Sequence, residues 1–370
     1  MSPQRPLRSS VATLVIVAVV WLLSASAGAD STRASTSKLP QIPTGGSVTL
    51  QWVGDIAMST ELGLPPGGAQ TALRPVAKQL RDADITFGNL EGTLSVGSSG
   101  SKCGASVTGT DCYAFQAPPS YAFQLRGLGF KLVNQANNHS MDFGASGRAE
   151  TVSALKRAGL AETGYPGQIT YLTTHGIRVA FLGFAPYDYD SNLLDIATAV
   201  SMVKQARAHA ALVVVIIHAG AEGPQYTHVP YGTQYFLGED RGDARAFAHA
   251  VIDAGASLVV GSGPHVIRGL EDYHGHMVAY SLGNFVGYHT LGGGGILSQS
   301  AILRVRLGAD GRVLAADWVP IVLKGGLPRL DPSDASAQTV AALSDEDFPS
   351  DHFQIQRSGI FKLPSVKRRR

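Results

Sequence analysis

A largely parallel α/β fold is what this chain predicts, and three observations predict it: short apolar runs that stop at polar residues, helical patterns between those runs, and a modest charge content. Charged residues make up 16% of the 370 positions and apolar ones 44%. Residues 47–331, about 285 in all, suit one large domain better than two small ones. A net charge of +2 argues against a general affinity for nucleic acid.

The first 29 residues carry Arg5 and Arg8, an uncharged run over 11–23, and then Ala25-Ser26-Ala27-Gly28-Ala29, the pattern of a signal peptide. The uncharged stretch is nearly long enough to span a bilayer, so an N-terminal membrane anchor is the other reading. Either one places the chain outside the cytoplasm, secreted or anchored. Residues 30–46, rich in Ser, Thr and Pro, read as a flexible linker. Residues 332–370 form a C-terminal extension whose end, Lys367-Arg368-Arg369-Arg370, reads first as a solvated terminus and second as a contact for polymer or lipid headgroups.

Between these lie the strand signals. Residues 48–53 alternate toward a strand that stops at Gly54-Asp55, after which Leu73, Val76, Ala77 and Leu80 fall at helical spacing. Ile85-Thr86-Phe87 precedes Asn89-Leu90-Glu91, residues 130–133 precede Asn134-Gln135-Ala136-Asn137-Asn138-His139, residues 212–217 precede His218, and residues 258–260 precede Gly261. Helical candidates span 145–158, 193–208 and 244–254. Hairpins are expected where 171–174 and 177–184 flank His175-Gly176, and where 301–307 and 313–323 flank Gly308-Ala309-Asp310-Gly311. Parallel units plus hairpins imply a sheet of mixed direction, or two sheets stacked face to face. Cys103 and Cys112, in a Gly/Ser/Thr-rich stretch of an exported chain, are expected to close a small surface loop as a disulfide.

Five of these strands end in residue types suited to metal or proton chemistry: Asp55, Glu91, Asn138 with His139, His218 with Glu222, and His265. Carboxylate, amide oxygen and imidazole form the ligand set for Zn, Mn or Fe used to activate water, and residues at the carboxyl ends of neighbouring strands converge in one crevice. Singly each has a plainer reading. Gly54-Asp55 fits a turn, His218 a buried histidine bonded to a carbonyl, and Asp142 with Gly144 a helix cap. The joint pattern favours a site. His209, His228, His249, His274, His276 and His289 have no comparable context.

These residues resemble the bacterial capsule synthesis or poly-γ-glutamate synthesis proteins of the CapA type, which share the fold of calcineurin-like metallophosphoesterases. The resemblance rests on Gly54-Asp55, Asn89-Leu90-Glu91, Ala136-Asn137-Asn138-His139 with Asp142 and Gly144, His218-Ala219-Gly220-Ala221-Glu222, residues 261–266, and Tyr280-Ser281-Leu282-Gly283-Asn284-Phe285. It implies a four-layer α/β/β/α sandwich with mixed sheets over 47–331. It also implies that Asp55, Glu91, Asn138, His218 and His265 line a divalent-metal crevice, with Glu222 and Asn284 beside them. By the same resemblance His139 holds substrate or protonates a leaving group, with Asp142 orienting it.

Departures accompany the match. Ala57 stands where the phosphoesterases carry the His of Asp-x-His, and Gly263 stands where the family typically has the first His of His-Pro-His. Losing an imidazole ligand weakens metal binding; His274, His276 or His289 are the available replacements. Two functions therefore follow. One is an exported role in synthesis or export of a capsule or poly-γ-glutamate, with an anionic envelope polymer or its machinery as partner and membrane association through the N-terminus. The alternative is a metal-dependent hydrolase of phosphoesters or amide bonds unrelated to capsule.

Overall fold

The computed structural model describes residues 46–59, 63–96, 100–104, 112–356 and 359–362. The expected signal or anchor segment, nearly all of the linker and the basic end at 367–370 lie outside the described residues.

Alternation along β1 (Ser47–Ala57) turns Val48, Leu50 and Trp52 into one core cluster and Val53 and Ile56 into another. There follow α1 (Gly68–Leu73), β2 (Ile85–Leu90), α2 (Tyr121–Leu128), β3 (Phe130–Asn134), α3 (Gly144–Ala158) and β4 (Ala161–Thr163). Strands β1 to β4 lie side by side and parallel. The helical spacing over 73–80 does not give one helix. Pro75 has no N–H to continue α1, and a 3-10 turn at Arg74–Val76 intervenes.

The chain then builds a second sheet. Its elements are β5 (Thr170–Thr174), β6 (Ile177–Phe184), α4 (Ile196–Arg207), β7 (Leu212–His218), α5 (Ala244–Asp253), β8 (Leu258–Ser262), β9 (Leu270–Tyr273) and β10 (His276–Ala279). The order is β9-β10-β8-β7-β6-β5, with β10, β8, β7 and β6 parallel. His175 and Gly176 take φ of 50° and 75°, the positive values a two-residue hairpin turn needs, and β5 pairs antiparallel with β6 as expected. His274-Gly275 repeats that geometry between β9 and β10.

The last strands return to the first sheet: β11 (Asn284–Gly287), β12 (Gln299–Gly308), β13 (Val313–Lys324) and β14 (Leu327–Leu330). The expected hairpin around residues 308–311 is β12 with β13. Strand β12 pairs antiparallel with Ser47 to Val53 of β1, and β11 takes over in parallel from Asp55. So β1 changes neighbour at its catalytic-type residue. Gly54 makes the change possible, because a Cβ there would run into the Gly283 carbonyl oxygen, which accepts the Asp55 N–H at 3.1 Å.

The two sheets face each other across Trp52, Phe87 and Leu132 on one side and Phe181, Val214, Ile216 and Val260 on the other. Trp52 packs on Phe87 (5.1 Å between centroids), Phe87 meets Phe181 edge-on (5.3 Å), and Trp52 Nε1 donates to the Gly261 carbonyl at 3.2 Å. Helices α1 to α3 cover the outer face of the first sheet, and α4 and α5 that of the second. The result is an α/β sandwich with mixed sheets. A further helix, α6 (Ala335–Asp347), brings Ala337, Val340 and Leu343 into the central cluster. Cys103 and Cys112 form the expected disulfide. Among the described residues no helix is long and apolar enough to cross a membrane.

Candidate metal centre

The carboxyl ends of β1, β2 and β7 bring Asp55, Glu91 and His218 together, with one ligand atom from each lying within 4.8 Å of the others. All three are buried. Both Glu91 carboxylate oxygens and His218 Nε2 are buried and meet no protein hydrogen-bond partner, and Asn138 Oδ1, on the loop that carries His139, is likewise unpaired. An unpaired buried polar group costs about 1–3 kcal/mol, more when charged, so acceptors left bare in one place describe a seat for a cation. Carboxylates, an imidazole and an amide oxygen suit a divalent Mn, Zn or Fe ion.

Amides hold this seat in shape. Asn89 donates from Nδ2 to Asp55 Oδ1 at 2.8 Å, and its Oδ1 accepts from Asn134 (2.9 Å) and Asn137 (3.1 Å). Asn137 also donates to the Leu90 carbonyl, and its own Oδ1 accepts the His139 N–H. His218 Nδ1 lies 3.2 Å from Ser262 Oγ, leaving Nε2 for the ion. Burial pushes His218 down to about 3, so the ring is neutral, as a ligand must be. Asn134 is thus structural, whereas the Gln135 side-chain amide meets no protein partner.

His265 stands beside the three rather than among them. Its φ of 60° is held by Asn284, which accepts from His265 Nδ1 at 2.9 Å and donates to the His265 carbonyl at 3.2 Å. Its Nε2 lies 3.7 Å from Glu91 and 3.5 Å from Glu222. Burial opposes charge on this ring, but Glu91, Asp55 and Glu222 outweigh it and raise its pKa well above the usual histidine value. Burial, and then the Asp55 charge, push Glu91 well above the ordinary carboxylate range; for Asp55 the bonds and charges of His265, His218 and Asn89 overcome burial and lower it. Gly263, with φ of 108°, donates its N–H to Asp55 Oδ2 at 3.3 Å. A Cβ there would sit 3.3 Å from His218 Nε2, so the position abuts the seat.

His139 faces the site from the loop after β3. Its Nδ1 meets Asp142 Oδ2 at 2.8 Å, its ring stacks on Phe115 at 4.1 Å, and burial lowers its pKa against the pull of Asp142. Asp142 is not the cap of α3. It also accepts from the Phe115 N–H (2.6 Å) and pairs with Lys102 (2.7 Å), while residue Phe143 precedes the helix without a side-chain cap. His274 and His276 sit by Asp253 and Ser257, at the end of the second sheet opposite the crevice.

A cavity of roughly 690 Å³ opens beside the seat, lined by Asn138, His139, Glu222, Tyr187, Tyr189 and Arg241 among others. Glu222 Oε1 pairs with Arg241 Nη1 at 2.7 Å, and His265 and Arg241 hold its carboxyl well below the usual range despite burial. Sequence reasoning missed Arg241 and the support from Asn89 and Asn137. The Asn89-Leu90-Glu91 motif carried a signal for Asn89; nothing local marks Arg241.

The family model described as bacterial capsule synthesis protein PGA_cap matches residues 49–289. The capsule biosynthesis protein CapA of Bacillus anthracis is 28% identical over 338 residues, 85% of this chain and 75% of that protein. The PGA biosynthesis protein CapA of Bacillus subtilis is 28% identical over 258 residues, 65% of this chain and 63% of that protein, so the match spans less than two thirds of its length. Among solved structures, a hypothetical protein of Thermus thermophilus aligns with 15% identity and a TM-score of 0.46, covering 74% of this chain and 98% of that one.

Proposed function

The chain belongs to the bacterial capsule synthesis protein family PGA_cap, and on that premise we propose that it is an extracytoplasmic metal-dependent hydrolase, of calcineurin-like architecture, that cleaves a phosphoester or amide bond. The observation that carries this reading is the set of bare, buried acceptors on Glu91 and His218 beside Asp55. A divalent cation held by Asp55, Glu91 and His218 would supply polarisation of the scissile group and a lowered pKa for an attacking water. The chain's own residues supply the rest. Asp142 fixes His139 through Nδ1, so that Nε2 is the atom at which a proton is held or moved. His265, clamped by Asn284, carries positive charge next to Asp55 and Glu91 and keeps that acidic pair tolerable. Phe115 and the aromatic cavity wall limit water at the reacting face.

The family link supports a setting in capsule or poly-γ-glutamate synthesis or export, with an anionic envelope polymer or its machinery as partner. A second reading, a non-catalytic holder of that polymer, draws on Gly263, where no imidazole joins the seat. Metal analysis of the purified protein, with turnover of a generic phosphodiester and a γ-glutamyl peptide by wild type, His139→Ala and His218→Ala, decides between them. Stoichiometric metal with turnover lost in both variants is expected. Metal without turnover of either substrate favours the holder, and neither metal nor turnover ends the hydrolase reading.

A further inference from the structure

Arg241 is 1% exposed, yet only one of its three nitrogens is engaged. Nη1 pairs with Glu222 Oε1 at 2.7 Å and more loosely with Glu239 Oε2 at 3.7 Å, and it donates to Tyr187 Oη at 3.2 Å. Nε and Nη2, which together offer three N–H groups, are buried and meet no protein acceptor. That edge of a guanidinium is the one that matches two oxygens of a carboxylate or phosphate at once. The residue lines the cavity beside Asn138, His139 and Glu222, and its backbone is fixed between Gln234 and Gly220. Contrast Arg268, equally buried, whose Nε, Nη1 and Nη2 all find acceptors on Tyr226, Gln234 and Ala221. Arg268 is a structural tie; Arg241 is a half-satisfied one.

We propose that Arg241 is a substrate-binding residue whose free Nε/Nη2 edge receives an oxyanion, carboxylate or phosphate, so that the cavity takes an acidic substrate. This rests on the hydrolase reading and deepens it by naming the residue that holds the substrate's anionic group. Glu222 and Tyr187 pre-set the guanidinium plane, which leaves little rotamer entropy to be lost on binding. Tyr187 and Tyr189, stacked at 5.3 Å, supply a wall for the uncharged part of the substrate.

The test uses the full chain labelled at arginine Nε, titrated with inorganic phosphate, with γ-linked diglutamate and with uncharged γ-linked diglutamine, both with diamagnetic Zn²⁺ and with EDTA. The Arg241 Nε–H resonance should shift with an acidic probe and not with the neutral one. The Arg241→Lys variant should bind the same probe at least about tenfold more weakly, the worth of a bidentate pair reduced to a point charge. A response to phosphate alone or to diglutamate alone tells which source of oxyanion the edge reads. An unmoved resonance, equal binding of acidic and neutral probes, or an unchanged Kd in the variant overturns the proposal and leaves a water-filled pocket. Because the readout is binding, absence of turnover with binding intact would sink the hydrolase reading alone.

Discussion

Glu91→Gln separates the cost of the seat from its use. In the protein without metal, burial and Asp55 hold the Glu91 carboxyl well above the ordinary range, and neither oxygen accepts a hydrogen bond, although His265 Nε2 lies 3.7 Å from Oε1. A neutral amide of the same size should then cost little, under about 1 kcal/mol, whereas cutting a charged buried pair costs about 3–5 kcal/mol. The pH dependence has a definite sign. With its pKa raised on folding, Glu91 loses its proton more readily in the unfolded chain, so wild-type stability declines as pH climbs above the unfolded carboxyl value. The variant lacks that loss and should gain on wild type with rising pH in EDTA. With metal the order reverses. At a concentration near 100 Kd wild type should gain about 2.7 kcal/mol, and a ligand loss of about 100-fold in affinity leaves the variant about 0.4 kcal/mol. In a domain of about 285 residues that is a Tm rise of roughly 4–5 °C against less than about 1 °C. Thermal unfolding with Mn²⁺ and with EDTA measures both. A variant that is several kcal/mol weaker in EDTA, or that keeps the full metal shift, refutes the seat.

Three other outcomes follow from the same geometry. His139→Ala should lower turnover by about 10²–10⁴ while metal content stays at the wild-type level, read by steady-state rates and metal analysis together. His218, neutral in the fold and shifted to about 3, should make EDTA-treated protein lose about 1.4 kcal/mol per pH unit below the unfolded histidine pKa, a slope that urea unfolding should find flattened in His218→Gln. Gly54→Ala should cost about 1–3 kcal/mol by pushing against the Gly283 carbonyl, and it should weaken metal binding as well, since Asp55 moves with it; a destabilised protein with unchanged metal affinity would contradict the second part.

The strand ends were legible because the run before His218 is short and dominated by β-branched Val and Ile, which favours a buried strand over a helix. The hairpin at His175-Gly176 was legible from its length, although His takes a positive φ there. What stayed hidden was tertiary. The fork of β1 between β12 and β11 depends on a strand more than 200 positions away, and Gly54 looks like any turn glycine until Gly283 is beside it. Helix α6 carries its buried face mainly on Ser336, Ala337, Val340, Leu343 and Ser344, too few large apolar residues to announce a stripe. Arg241 follows a two-residue strand in a long loop, and a buried cation there has no sequence signature; only its partner Glu222 belonged to a motif. For the crevice, residue types at strand ends were enough to single out Asp55, Glu91 and His218, but the tie of His265 to Asn284 is tertiary and had no local signal.

The bond from Gly263 to Asp55 spans 208 positions, and the seat draws one wall from each sheet. No fragment of the chain that stops short of β7 contains all three ligands, and no intermediate with the sheets undocked has them within reach of one ion. Ion capture therefore comes late in folding, after the slow, long-range closure that high contact order imposes. A metal signal followed during refolding would time the meeting of the two sheets, and the ion that enters is the one present where folding finishes.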